Sequence, residues 1–122
     1  MPIVIASKTR YTGTVVPPAL GAEATVVEVP GAEDDYIVEG YIDLGALSSG
    51  DAAEVREYIA VDGVNYRVFL RHTFSGPVAE PVVRLHAKTL LSSEKYKVTI
   101  TQTSGTLRSF PYAFVVEVLG TV

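Results

Sequence analysis

The chain has 122 residues, 48% of them apolar and 20% charged, with a formal net charge of -4 and no cysteine. That is the size of one ordinary domain with enough apolar content for one core, which sets aside a disordered chain. The acidic balance disfavours nucleic-acid phosphates and anionic membrane surfaces as partners, and the lack of thiols excludes disulfides, thiol catalysis and cysteine-ligated zinc.

No apolar run approaches the roughly 20 residues of a transmembrane helix. Met1 to Ala6 is apolar with Lys8 and Arg10 after it, the reverse of a secretory leader, which predicts synthesis and folding in a cytoplasm. Asn65, Gln102 and Met1 are the sole Asn, Gln and Met. Scarcity of these labile residues predicts a thermophilic source.

Taken in chain order, alternation of β-branched and aromatic residues with polar ones predicts strands throughout. The first three, Ile3 to Ala6, Tyr11 to Val16 and Ala24 to Val29, lie among Pro2, Pro17, Pro18, Pro30, Gly13, Gly21 and Gly31. Residues 1–33 therefore read either as ordinary first strands or as an extended N-terminal arm that adds a strand to a neighbour's sheet. Residues 34–122 read as a β-sandwich domain. Its first strand is Tyr36 to Asp43, and Leu44 to Ser49 has the length of one helical or 3₁₀ turn.

Strands at Glu54 to Val61 and Val64 to Thr73 flank Asp62-Gly63, the pattern of a two-residue type I′ hairpin. That register sets Ile59 opposite Tyr66 and Val55 opposite Leu70 on an apolar face. Tyr58 then meets Arg67, Arg56 meets Phe69, and Glu54 meets Arg71. It also puts Glu57 on the apolar face opposite Val68, so either a bulge turns this carboxylate outward or the face is wet there.

Strands at Val82 to Lys88 and Lys95 to Thr103 follow. The second alternates Tyr96, Val98, Ile100 and Gln102 with Lys97, Thr99, Thr101 and Thr103. The final strand, Leu107 to Leu119, sets Phe110, Tyr112, Phe114, Val116 and Val118 against Pro111, Ala113, Val115 and Glu117. A strand apolar on both faces needs cover on both, so Phe110, Tyr112, Phe114, Val115, Val116 and Val118 form the candidate interface. Pro111, lacking an N–H, belongs at an edge or a bulge. No gap between strands holds the crossover helix of a parallel fold. The predicted class is all-β: a single-domain antiparallel β-sandwich or jelly roll.

Patterns that would carry chemistry are weak. His72 and His86 have no second metal ligand at helical spacing, and His86 alternates with the cations Arg84 and Lys88. Glu33-Asp34-Asp35 lacks the alternating spacing of a calcium loop and reads as a solvated acidic turn. Ser48-Ser49-Gly50-Asp51 lacks the G-x-S-x-G of a nucleophile elbow and reads as a turn. The Thr99, Thr101, Thr103 ladder is a surface a sugar or a partner backbone would use, although threonine on an open strand face is also ordinary β propensity. The expectation is no enzyme activity, no cofactor and no metal.

From Tyr41 to Val118, about two-thirds of the chain, several groups of residues carry a family resemblance. They are Ile42-Asp43-Leu44, Gly50-Asp51, Val55-Arg56, Phe74-Ser75-Gly76, and the run Val98 to Thr106 with Arg108 and Phe110-Pro111-Tyr112. In these the chain resembles small uncharacterised β-rich proteins encoded among the structural genes of tailed phages and related viruses, which often carry Trp where Tyr112 stands. The resemblance implies a virion role, transfers no site, and leads to the expectation of a capsid decoration or cement protein. Its partners would be a capsid or tail protein lattice and copies of itself, with a trimer favoured, and neither nucleic acid nor membrane. It would reside in the virion after assembly in the host cytoplasm. The competing expectations are a carbohydrate or cell-surface recognition module, and a tail component.

Overall fold

A computed structural model describes residues 2–121. Eight strands form: β1 (Ile3–Val15), β2 (Glu23–Val29), β3 (Tyr36–Asp43), β4 (Ala52–Ala60), β5 (Arg67–Ser75), β6 (Val82–Leu90), β7 (Lys95–Ser104) and β8 (Phe110–Thr121). They make two four-stranded antiparallel sheets, ordered β1-β8-β3-β6 and β2-β7-β4-β5. First pairs with last, second with seventh, third with sixth and fourth with fifth, alternately in one sheet and the other. Such nested pairing is a long hairpin wound upon itself, the jelly-roll arrangement.

Period-2 alternation puts one face of each sheet inside. Phe110, Phe114, Val116, Tyr36, Val38 and Ile42 from one sheet meet Tyr96, Val98, Ile100, Val55 and Val27 from the other, and all are buried. Each large apolar side chain so buried contributes roughly 1.5–3 kcal/mol. Leu44 and Leu47 close one end of this core from a turn in which the Leu47 N–H donates to the Leu44 carbonyl at 3.1 Å. In place of the one helical or 3₁₀ turn expected over Leu44 to Ser49, two successive hydrogen-bonded turns form, the second closed by the Asp51 N–H on the Ser48 carbonyl.

Several expectations change in detail. The two short strands foreseen before Pro17 are one, because Ser7 to Arg10 stay extended and a bulge at Ala6 absorbs the irregularity. This strand runs the length of β8 within the chain's own sheet. Pro111 sits in β8, which has a neighbour on each side, but the ladder with β3 stops at Tyr112 and only β1 pairs beside the proline.

The hairpin is wider than the two-residue type I′ reading. No non-glycine residue among those described has positive φ, so Asp62 does not adopt the left-handed conformation that turn requires. Its carboxylate instead accepts the N–H groups of Val64 at 2.9 Å and Asn65 at 2.7 Å, and Gly63 alone turns left-handed, at φ 77°. Pairing therefore resumes at Ile59 with Arg67, Val55 faces His72, and a bulge interrupts the ladder after Glu57. Instead of the expected pairings of Tyr58 with Arg67 and Arg56 with Phe69, Lys97 lies 4.9 Å from the Tyr58 ring and 4.6 Å from the Tyr66 ring. Arg71 and Glu54 do approach, at 3.6 Å, along a diagonal.

Glu57 is neither turned outward nor wetted. It is 1% exposed, and its Oε1 accepts the Tyr96 hydroxyl at 2.7 Å and lies 3.0 Å from Lys88 Nζ. Lys88 reaches it from the opposite sheet because a bulge in β6, facing Val38 to Gly40, reverses the alternation after Leu85. The reading of Arg84, His86 and Lys88 as one cationic face is thereby corrected: Arg84 points out and Lys88 points in. A buried charge left without its partner costs about 3–5 kcal/mol, whereas replacing both partners by apolar groups is often neutral. Glu57→Ala is thus expected to lower unfolding free energy by about that amount in urea titration, and Glu57→Leu with Lys88→Met by markedly less. Equal losses in the single and double variants would show that the pair is not coupled.

Candidate functional site

The residues singled out in the sequence fall into four places. The histidines lie apart. His72 Nε2 is 3.7 Å from Glu57 Oε2 at the margin of the core, and His86 is exposed on the outer face of β6. No group of three or more His, Asp or Glu with metal-holding geometry exists among the described residues. Glu33-Asp34-Asp35 forms a turn in which Asp35 Oδ1 accepts the Ser92 N–H at 3.1 Å.

Asp51 anchors a polar knot at the end of the sandwich. Its carboxylate accepts the N–H of Ser48 at 2.8 Å and of Thr106 at 3.0 Å and the Arg108 Nε–H at 2.8 Å, while its carbonyl accepts the Gly76 N–H. Gly105, at φ 86°, lies against that carboxylate where a β-carbon would collide with it. Beside it the fully buried Gln102 donates to the carbonyls of Ser104 and Thr106 and accepts the Arg108 N–H at 2.9 Å. Gly50-Asp51, Gly76, Gln102 to Thr106 and Arg108, part of the set singled out for its resemblance, thus meet in one cluster whose hydrogen bonds tie three loops together. With all three donors on its carboxylate, Asp51 is engaged in structure and not poised beside a serine nucleophile.

The threonine ladder on the outer face of β7 is covered at Thr99 and Thr101, while Thr103 is exposed. Thr99 is 2% and Thr101 8% exposed. The Thr99 and Tyr58 hydroxyls both donate to Glu23, and Arg56 bridges Glu23 at 3.8 Å and Glu54. Burial works against the Glu23 charge, but these hydrogen bonds and the Arg56 guanidinium outweigh it and hold its carboxyl below the usual range. A polar lattice therefore occupies the surface that a sugar would have needed.

The fourth place is the outer face of the β1-β8-β3-β6 sheet. Of the six candidate interface residues, Phe110, Phe114 and Val116 are buried in the chain's own core and Tyr112 and Val118 pack against it. Those five belong to the inner face of β8, a correction to the reading that offered them to another subunit. Val115 alone faces outward. With it on the outer face stand exposed Pro111 and Ala113 from β8, Tyr41 from β3 and Val82 from β6, the last two 47% and 58% exposed. A hollow of about 310 Å³ opens here, bordered by Arg10, Thr12, Glu39, Tyr41, Ala113 and Val115. Tyr41 and Val82 went unnoticed in the sequence, although the alternation of Ile37, Glu39, Tyr41 and Asp43 in β3 separates them from the buried Tyr36, Val38 and Ile42.

No protein-family model matches this chain, and neither does any curated protein. Among solved structures it is similar to the infectious bursal disease virus VP2 subviral particle, at 10% identity and TM-score 0.49, and to the structure of that virus's Gx strain, at 12% and 0.47. Each comparison covers 96% of this chain and 32% of the other, so the chain spans about one third of the length of the proteins it matches. The likeness is one of strand layout.

The knot makes stability depend on acid. The N–H groups of Ser48 and Thr106 hold the Asp51 carboxyl below the ordinary 3.8, and those of Asn65 and Val64 push Asp62 down to about 2. The folded chain binds these protons more weakly than the unfolded chain, so both groups stabilise the fold above pH 3.8; Asp62 loses that contribution as pH falls toward 2, and Asp51 loses its own as pH falls below 3.8. Asp51→Asn is expected to unfold at lower urea concentration at pH 7 and to show a shallower decline through that window. A decline as steep as the wild type's would remove Asp51 from the acid response.

Proposed function

We propose that this chain is a structural protein of a virion, a decoration or cement subunit that strengthens a shell by binding its lattice. The jelly roll by itself selects no function, since capsid proteins, lectins and cupins all use it. The observation that carries the reading is one group of uncovered apolar side chains, distinct from those exposed on β5 (Val68, Phe69, Leu70) and in the loops. The space between the sheets is filled by side chains, while Tyr41, Val82, Pro111, Ala113 and Val115 stand together on the outside. Contiguous apolar surface rimmed by charge is what a protein-binding face looks like. The sequence resemblance to phage structural-gene products between Tyr41 and Val118 supports the same reading.

A subunit of this kind works without a deep pocket or an active site. Each copy buries a modest area, and repetition over a lattice turns weak single contacts into a large total through effective concentration. The competing carbohydrate reading loses its main support with the covering of Thr99 and Thr101 by Glu23 and Arg56.

Mass spectrometry of purified particles, with capsids and tails separated, tests this directly. The chain is expected in the capsid fraction at many copies per particle, and recombinant protein is expected to sediment with shells that lack it. Presence in the tail fraction alone would reassign it to a tail component. Absence from particles combined with saturable binding on a glycan array would replace the reading with the carbohydrate one.

A further inference from the structure

We propose that, where no shell lattice occupies it, the outer face of the β1-β8-β3-β6 sheet binds a second copy of this chain across a two-fold axis that runs along the strands between β8 and β3, a pairing that lattice binding through the same face would displace. Both shape and charge on this face are self-complementary, as an isologous interface requires.

Shape comes from one row of the ladder. Tyr41 stands directly opposite Ala113, so a large exposed ring adjoins a methyl group. On one side of this row lies the hollow of about 310 Å³ beside Glu39 and Val115, and on the other a second of about 180 Å³ beside Asp43 and Pro111. An axis along the strands between β8 and β3 lays each of these two strands over the other in the second copy. Residues that face each other in the ladder then exchange places: Tyr41 of each copy descends onto Ala113 of the other. One projection fills one recess, twice.

Charge on the face is mixed and partly uncommitted. Lys8, Arg10 and Glu117 are in none of the ion pairs among the described residues. The same axis carries Glu39, which lies 3.6 Å from Arg84 of its own chain, over Val115 of the second copy, and Val115 pairs with Arg10 in the β1 ladder. Arg10 of each copy thereby gains a carboxylate one strand away, within reach of its long side chain. A face of one sign would repel its own copy; this one does not.

Edge-to-edge pairing is less favoured. β1 carries Lys8 and Arg10 and a bulge at Ala6, and β5 carries Arg67 and Arg71 and a bulge, devices that discourage strand addition. Size sets the strength. Over the stretch spanned by β3 and β6, of about eight rows, the four strands cover roughly 500 Å² in projection, below the roughly 800 Å² per partner of a standard interface. The dimer should accordingly be weak, with a dissociation constant on the order of micromolar.

Sedimentation and light scattering over a concentration series test the proposal, with circular dichroism to confirm folding. The wild type is expected to pass from one chain to two. Ala113→Arg, at an exposed site, and Tyr41→Ser are each expected to raise the dissociation constant at least about tenfold without loss of fold. Arg10→Glu should weaken the dimer, and Arg10→Glu combined with Glu39→Arg should restore it. A chain that stays single throughout, a trimer, a dimer indifferent to Ala113→Arg and Tyr41→Ser, or one abolished instead by Val68→Arg on β5 would each overturn the two-fold face. None of these results depends on whether the chain is found in particles.

Discussion

The ion pair between Glu57 and Lys88 is the point at which the two sheets are held to one another by something other than shape. Apolar contacts between sheets are tolerant of small slides, because a valine meets a leucine nearly as well one position along. A carboxylate and an ammonium in a dry interior have no such tolerance, since each uncompensated charge costs several kcal/mol. Tyr96, whose hydroxyl donates to the same oxygen, fixes the carboxylate further, and burial pushes the phenol far above its ordinary range, so that it remains a donor. Two β-bulges lie near this site. One lets Glu57 keep its inward direction while β5 passes, and the other turns Lys88 toward it from β6.

The opposite strategy operates at the loop end. Asp51, Gln102 and Arg108 gather backbone donors and acceptors from three loops that would otherwise be frayed, and each polar group there is satisfied by a named partner. With its core and its loop end both consumed by holding the fold, the molecule has its outer sheet faces left for partners. One face is roofed by Glu23, Arg56 and Tyr58. The other leaves Tyr41, Ala113 and Val82 uncovered.

Much of the fold was legible in the residues because strands carry a period of two and turns carry Gly, Pro and Asp. The Tyr36–Asp43 strand has the anticipated ends, and the alternation in β7 and β8 sorts their side chains onto the faces expected. What was hidden depends on departures from that period. A bulge shifts every later residue to the other face, so the β6 irregularity made Lys88 look external and hid the partner of Glu57, which the alternation of β4 had placed on its true face. Asp-Gly signals a turn but not its width, which here was set by the Asp62 carboxylate binding two N–H groups. The outward site was missed for a related reason. Both faces of β8 read as apolar, and only the placement of the second sheet tells which of them, Phe114 or Ala113, has been covered.

The nested pairing of strands also fixes an order of events as the chain finds its shape. Joining β4 to β5 closes a short loop, whereas joining β1 to β8 closes nearly the whole polypeptide, and the entropy of closure grows with the length enclosed. Unless the inner turns have already formed, the outermost pair has no framework to meet on. Ile3, Val4 and Ile5, at the start of β1, are therefore among the last to be paired. For that interval they are exposed strand-forming sequence, and the charges that follow at Lys8 and Arg10 guard it against unwanted neighbours.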